Sequence, residues 1–230
     1  MAKGLFVTGT DTGVGKTFVT CALFMALQQR GSRVAAMKPV AAGVEAGHGM
    51  NEDVAAYMAL GGDRFPLRDI NPYSLGEPIA PHIAAAREGV TIDLNVIATA
   101  YRRLADAADL VLVEGAGGFL VPMDGKSSFA GLPGLLNLDV ILVVGMRLGC
   151  LNHALLSAEA IVSRGYTLAG WVANTPGDAM NAYDDNLATL QSRLPAPCLG
   201  VVPGHCGRPE LAAQHLDFAA LNKLISRSET

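Results

Sequence analysis

Short runs rich in Val, Ile and Leu alternate along the chain with longer Ala- and Leu-rich stretches of helical period. Runs that are apolar throughout belong to strands buried on both faces, so the alternation predicts an α/β fold: a mostly parallel sheet flanked by helices on both faces. Strands are predicted at residues 5–8, 33–38, 110–114, 140–145, 168–173 and 199–202, and helices at 17–30, 53–60, 83–88, 94–107, 153–164, 182–193 and 218–225. In an open parallel sheet the ligand sits beyond the carboxyl ends of the strands. Expectation therefore falls on the groups found there: Gly9 onward, Lys38-Pro39, Glu114-Gly115 and Asn174.

Composition narrows the picture. Half of the 230 residues are hydrophobic, enough for one sizeable core, and a single domain over residues 1–230 is expected. The net charge of -4 offers no basic field for nucleic acid or an anionic membrane surface. The most apolar run, 140–145, lies between Asp139 and Arg147 and falls far short of the ~20 residues a bilayer span needs. Residues 1–8 lack the features of an export signal, which points to the cytoplasm. Cys21, Cys150, Cys198 and Cys206 outline no disulfide framework, and the grouping of Cys198, His205 and Cys206 lacks zinc-site spacing.

The clearest chemistry follows the first strand, in Gly9-Thr10-Asp11-Thr12-Gly13-Val14-Gly15-Lys16-Thr17. Strand, glycine-rich loop, Gly-Lys-Thr and helix form a phosphate cradle. Loop N–H groups and the helix N-terminus attract the anion, Lys16 reaches the β- and γ-oxygens of a nucleoside triphosphate, and the Thr17 hydroxyl suits magnesium. The strict pattern wants glycine where this chain has Thr10, and Gly9 stands one residue early. Glu114, after four apolar residues and before three glycines, takes the place of a second-strand carboxylate beside Thr17, whereas Asp109 at the start of that strand reads as a turn residue. Lys38 reads either as a cation for the γ-phosphate or as a solvated surface lysine. Asp53, in Asn51-Glu52-Asp53, reads on its own as a helix N-cap.

Taken together, residues 8–17, Lys38-Pro-Val-x-x-Gly43, Asn71-Pro-Tyr73, Pro81-His82, Val113-Glu-Gly-Ala-Gly-Gly118, Leu148-Gly-Cys-x-Asn-His-Ala154 and Gly170-Trp-Val-Ala-Asn174 resemble the dethiobiotin synthetase family over about the whole chain. The resemblance implies a P-loop NTPase fold and a cytoplasmic homodimer that needs Mg2+ and consumes ATP. The implied reaction, in biotin biosynthesis, joins 7,8-diaminononanoate and CO2 (or bicarbonate) into dethiobiotin through a carbamate and a carbamic-phosphoric anhydride, with release of ADP and phosphate. By the same resemblance Thr12, Lys16 and Lys38 surround the carbamate and γ-phosphate, while Thr17, Asp53 and Glu114 form the magnesium shell, against the capping reading of Asp53. Gly13, Val14, Gly15, Phe18, Gly115, Ala116 and Gly117 fall to the nucleotide, with Asn174 at the adenine edge and Thr175, Pro203, Gly204, His205 and Glu210 in the rest of its pocket. Ala42 and Gly118 fall to the substrate. Cys150, Leu151 and Asn152 would begin a helix whose N–H groups meet the substrate carboxylate near the subunit interface. His153 reads as a further helix-start residue.

Two departures from the family pattern stand out: Gly13 where relatives often carry an acid, and Ala42 where they often carry a serine. A cobyrinate-diamide-synthase-like amidoligase would add a glutaminase domain, for which the sequence has no convincing Cys/His pair. A partitioning or septum-site ATPase would carry a further lysine early in the phosphate loop, and Thr10-Asp11-Thr12 supplies none.

Overall fold

The computed structural model describes residues 3–44, 49–61, 64–125, 127–178 and 180–226. Six strands form one sheet: β1 (Lys3–Gly9), β2 (Val34–Met37), β5 (Leu110–Gly118), β6 (Asp139–Gly145), β7 (Leu168–Asn174) and β8 (Cys198–Val202). Their order is β2-β5-β1-β6-β7-β8, and every pairing is parallel. All residues of β2, and all of β6 after Asp139, are buried, as expected of strands covered by helices on both sides.

The loops after β1, β2, β5 and β7 thus emerge along one edge of the sheet. Helix α1 (Lys16–Gln28) follows the β1 loop and is buried on nearly every face, packing against β1, β2 and β5 and against the short α9 (Pro209–Ala213). Helix α5 (Leu94–Ala107) shows the opposite pattern. Only the stripe Ile97, Ala100, Tyr101, Leu104 and Ala105 is buried, and the Asp93 carboxylate caps its start by accepting from Asn95 N–H at 2.8 Å. Arg33 and Asp109 pair at the other end of the sheet, where the Asp109 carboxylate accepts from Arg33 N–H at 2.8 Å and is held below its ordinary pKa range by its hydrogen bonds from Arg33. The turn reading of Asp109 therefore holds.

The predicted strands and helices are all present, α5 at its predicted bounds and the others with shifted ends. Strand β5 continues past Glu114 through the glycines because a register shift pairs Gly118 with Gly9 of β1. Helix α7 (Cys150–Val162) starts at Cys150, three residues before the pattern suggests, from Gly149 in the left-handed conformation (φ 95°). Elements too short to carry a period lie outside the prediction: a second parallel sheet of β3 (Val40–Ala42) and β4 (Tyr73–Leu75), and helices α3 (Leu67–Ile70), α6 (Leu132–Leu136) and α9. The remaining helices are α2 (Glu52–Ala59), α4 (Pro81–Glu88), α8 (Tyr183–Arg193) and α10 (Phe218–Ser226). Among the described residues no helix is long and apolar enough to cross a membrane.

Gly170 of β7 shows how tightly the sheet packs: a methyl group there would lie 2.5 Å from both Cγ and Cδ1 of the buried Leu199. Gly170→Ala is expected to lower stability to urea by about 1–3 kcal/mol, the usual cost of overpacking a core. Unchanged stability would mean that β7 and β8 pack more loosely than observed.

Candidate active site

Residues 10–15 fold back over the end of β1 and are anchored at several points. Thr10 N–H donates to Val143 O at 2.9 Å, its hydroxyl accepts from Gly145 N–H at 3.3 Å, and the Val14 side chain is fully buried against Gly145. Gly13 (φ 71°) and Gly15 (φ 81°) both take left-handed backbone, which favours glycine. Gly15 is constrained a second time, because a Cβ there would come 2.2 Å from Asn174 Nδ2. That same nitrogen donates to Val14 O at 2.8 Å, so the end of β7 is bonded to the loop. No side chain caps α1, and its first N–H groups face the cleft lined by Gly15, Lys16, Thr17 and Phe18.

Beside this N-terminus lies a cluster of charged groups gathered from three elements. The Lys38 ammonium, just past β2, is 2.5 Å from Glu114 Oε1 on β5 and 2.7 Å from Asp53 Oδ2 on α2. The Thr17 hydroxyl lies 2.6 Å from Asp53 Oδ1 and 3.0 Å from Glu114 Oε1. The other oxygen of Glu114, Oε2, accepts from the Tyr57 hydroxyl. Glu114 is 0% and Lys38 5% exposed, so this is a buried ion cluster rather than a surface pair. Lys16 Nζ donates to Asp11 O at 3.1 Å on the near side of the same cleft.

Local sequence explains the placement. Asn71 Nδ2 donates to Lys38 O at 2.7 Å and to Tyr73 O at 2.9 Å, and Lys38 N–H donates to Ile70 O, which fixes where the chain leaves β2. At the start of α2 the N-cap is Asn51, whose Oδ1 accepts from Asp53 N–H at 3.0 Å and whose Nδ2 donates to Ala42 O. Asp53 is therefore not the cap, and its carboxylate is free for Lys38 and Thr17. Burial works against the charge on Asp53, but Lys38 and the hydrogen bonds from Lys38 and Thr17 outweigh it and hold the carboxyl below its ordinary range. Burial likewise opposes the Lys38 charge, yet Glu114 and Asp53 raise the ammonium above its ordinary range. A lowered acid and a raised base keep both groups charged between their ordinary values of 3.8 and 10.5. Lys16 goes the other way, pulled down chiefly by burial. Burial, then Glu114, pushes the Tyr57 phenol far up, so it stays a donor. Burial also drives the Cys21 thiol up to about 12.

The cluster opens into a cleft of about 800 Å³, lined among others by Thr12, Gly13, Ala42, Ala116 and Gly117, with Pro78–Pro81 as its far wall. A narrower cavity of about 280 Å³ shares Gly15 and Phe18 with that cleft and leads past Asn174 and Thr175. It shares Thr175, Gly177, Pro203 and Gly204 with a third cavity of about 530 Å³, which also holds Tyr183 and His205. Most of the predicted residues thus line these three neighbouring cavities. Gly115 lies behind them, its carbonyl accepting from Lys38 Nζ at 3.4 Å, and Gly118 lies beside the backbone of Gly9. Glu210, exposed on the first turn of α9, lines none of the three cavities, and neither do Cys150, Leu151 and Asn152 at the start of α7. Tyr57, and Arg147 with its ion pair to Asp11 in the phosphate loop, stand outside the sequence-derived candidates. The spacing of Tyr57, one helical turn after Asp53, puts the two on one face of α2 but does not tell of its bond to Glu114. Among the described residues no three His, Cys, Asp or Glu side chains gather as a metal site, so the oxygen ligands on offer are two carboxylates and a hydroxyl.

A family profile described as an AAA domain matches residues 3–206. The ATP-dependent dethiobiotin synthetase BioD of Nitrosospira multiformis is 53% identical over 203 residues, covering 88% of this chain and 89% of that protein. Its namesake from Aromatoleum aromaticum is 53% identical over 207 residues, 89% of this chain and 92% of its own. Among solved structures, the septum site-determining protein MinD of Pyrococcus horikoshii, complexed with Mg-ADP, superposes with a TM-score of 0.54 over 100% of this chain and 91% of that one. At 18% identity that likeness concerns the fold alone. The sequence relatives carry the descent: the chain belongs to the dethiobiotin synthetase family of ATP-dependent ligases.

Proposed function

We propose that the chain uses ATP to carboxylate 7,8-diaminononanoate and close its ureido ring, giving dethiobiotin, ADP and phosphate. The observation that carries this reading is the convergence of Lys38, Asp53, Glu114 and Thr17 on the mouth of the phosphate loop, inside a cleft with room for a second substrate. In this reaction one amine of the diamine adds to CO2 as a carbamate. A carbamate oxygen then takes the γ-phosphoryl group, releasing ADP, and the second amine attacks the anhydride carbonyl and expels phosphate as the ring closes.

The protein's part is mainly to hold and neutralise. The α1 N–H groups and Lys16 bind the phosphates. Thr17, Asp53 and Glu114 suit Mg2+, a hard cation that takes a few protein oxygens and completes its octahedron with phosphate oxygens and water. Bound there, Mg2+ would supply positive charge to offset that of the triphosphate. Lys38 can then turn its ammonium from the carboxylates to the transferred phosphoryl group and the carbamate, with Thr12 at the same mouth. Asn174, with one N–H spent on Val14, keeps its carbonyl oxygen for the exocyclic amine of adenine, and Thr175, Pro203, Gly204 and His205 enclose the base. The substrate carboxylate is assigned to the uncapped start of α7 from a second copy of the chain, a homodimer that would cover the 97% exposed Leu148 beside it.

Incubation of the purified protein with Mg2+, ATP, bicarbonate and 7,8-diaminononanoate is expected to yield dethiobiotin by mass spectrometry in step with ADP. Folded protein that binds ATP yet forms no such product would refute the reading.

Lys38→Ala is expected to lower turnover by roughly 10²–10³-fold, the range seen when a charge-stabilising donor is removed, and to leave affinity for metal-free ADP nearly intact. Parallel loss of both would remove Lys38 from its assigned role. Lys38→Met leaves the buried Glu114 carboxylate without its ion partner, a change that typically costs about 3–5 kcal/mol. Urea unfolding should reveal that loss, and Mg-ADP should recover more stability in the variant than in the unaltered protein. An equal gain in both would show that the carboxylates do not take the cation.

A further inference from the structure

Glu114 uses its two oxygens for different purposes. Oε1 faces Lys38 and Thr17, on the side of the cleft, while Oε2 points away into the core and accepts from Tyr57. Tyr57 is 1% exposed, stands on α2 one turn beyond Asp53, and its hydroxyl is the group bonded to Oε2. A carboxylate held at one oxygen alone can rotate about its last side-chain bond, and held at both it cannot. The Tyr57 bond also joins α2, which carries Asp53, to β5, which carries Glu114, and so bears on the spacing of the two acids.

We propose that Tyr57 is a positioning residue for the cation site: its hydroxyl pins Oε2, so that Oε1 faces Thr17 at a fixed distance from Asp53. The inference rests on the reading of Thr17, Asp53 and Glu114 as the magnesium ligands and adds the residue that orients one of them. Groups that orient a metal ligand commonly matter by about 10–100-fold in metal affinity. A tyrosine that merely filled space beneath α2 would be replaced by phenylalanine without consequence for the cation.

The test is an electron paramagnetic resonance titration of Mn2+ onto the protein with ADP, for the unaltered chain, Tyr57→Phe and Glu114→Gln. Tyr57→Phe is expected to weaken Mn2+ binding by about 10–100-fold while ADP binding without metal stays unchanged. Its activity should need correspondingly more Mg2+ yet approach the unaltered turnover at saturation. Tyr57→Leu, which also keeps an apolar side chain, should behave alike and guards against a folding defect peculiar to one variant. Unchanged Mn2+ affinity in Tyr57→Phe, or equal loss of metal-free ADP binding in both variants, would overturn the role. Glu114→Gln separates the two claims: if it loses Mn2+ while Tyr57→Phe does not, only Tyr57 is misassigned. If Glu114→Gln binds Mn2+ as well as the unaltered chain, the ligand assignment fails and the positioning role with it.

Discussion

A carboxylate with no solvent exposure lies at the end of the central part of the sheet, and the local structure around it follows from that constraint. Taking Glu114 out of water costs several kcal/mol unless its oxygens find charged or hydrogen-bonding partners. Lys38 supplies the charge, and Tyr57 and Thr17 supply hydroxyls. Lys38 is buried in turn and needs a second acid, which Asp53 provides. These five side chains come from four elements, with Asp53 and Tyr57 both on α2, so β2, β5, α1 and α2 must meet at one point. The strand order β2-β5-β1 brings three of those attachment points side by side, and Asn71 and Asn51 secure the loops that the sheet itself does not hold. The cluster is thus a statement about topology as much as about charge.

The phosphate loop obeys a second constraint, close approach. Asn174 reaches across from β7 to bond Val14, which it can do only because residue 15 has no side chain. Gly15 therefore serves two needs, the left-handed turn into α1 and the passage of the Asn174 amide. In the proposed reaction Asn174 links the two ends of the nucleotide, since it braces the loop that cradles the phosphates and faces the cavity assigned to the base.

Much of this was legible in the sequence. Strands buried on both faces give unbroken apolar runs, and the groups at their carboxyl ends fall where the parallel sheet requires, so Thr17, Lys38 and Glu114 meet as their positions suggest. Asp53 was ambiguous because an acid near a helix start is most simply a cap, and only the structure gives that task to Asn51. The strands β3 and β4 are three residues each and carry no period. The periodic pattern missed the start of α7, because a left-handed glycine and not a capping side chain begins it, whereas the family resemblance put a helix start at Cys150. Tyr57 was hidden for another reason: a tyrosine on the buried stripe of a short helix reads as core, and nothing local reveals that its hydroxyl meets an acid 57 positions away.

The departures from the strict phosphate loop and from the family pattern become intelligible by asking what each side chain bonds. Thr10 stands where the strict phosphate loop has glycine, yet its backbone is not left-handed and its hydroxyl takes the N–H of Gly145, so the loop loses nothing and gains an anchor to β6. Gly13 has open space around its Cα, so an acid there would project into solvent at the cleft mouth rather than support the loop. Ala42 lines the cleft, but its place is fixed by pairing of β3 with β4 and by the bond from Asn51 to its carbonyl, neither of which a hydroxyl would affect. A serine at that position would act on bound substrate alone. With alanine there, the amines of the diamine lose one side-chain partner in the proposed reaction, while the charge of Lys38, whose position is set by the acids behind it, serves the anionic carbamate.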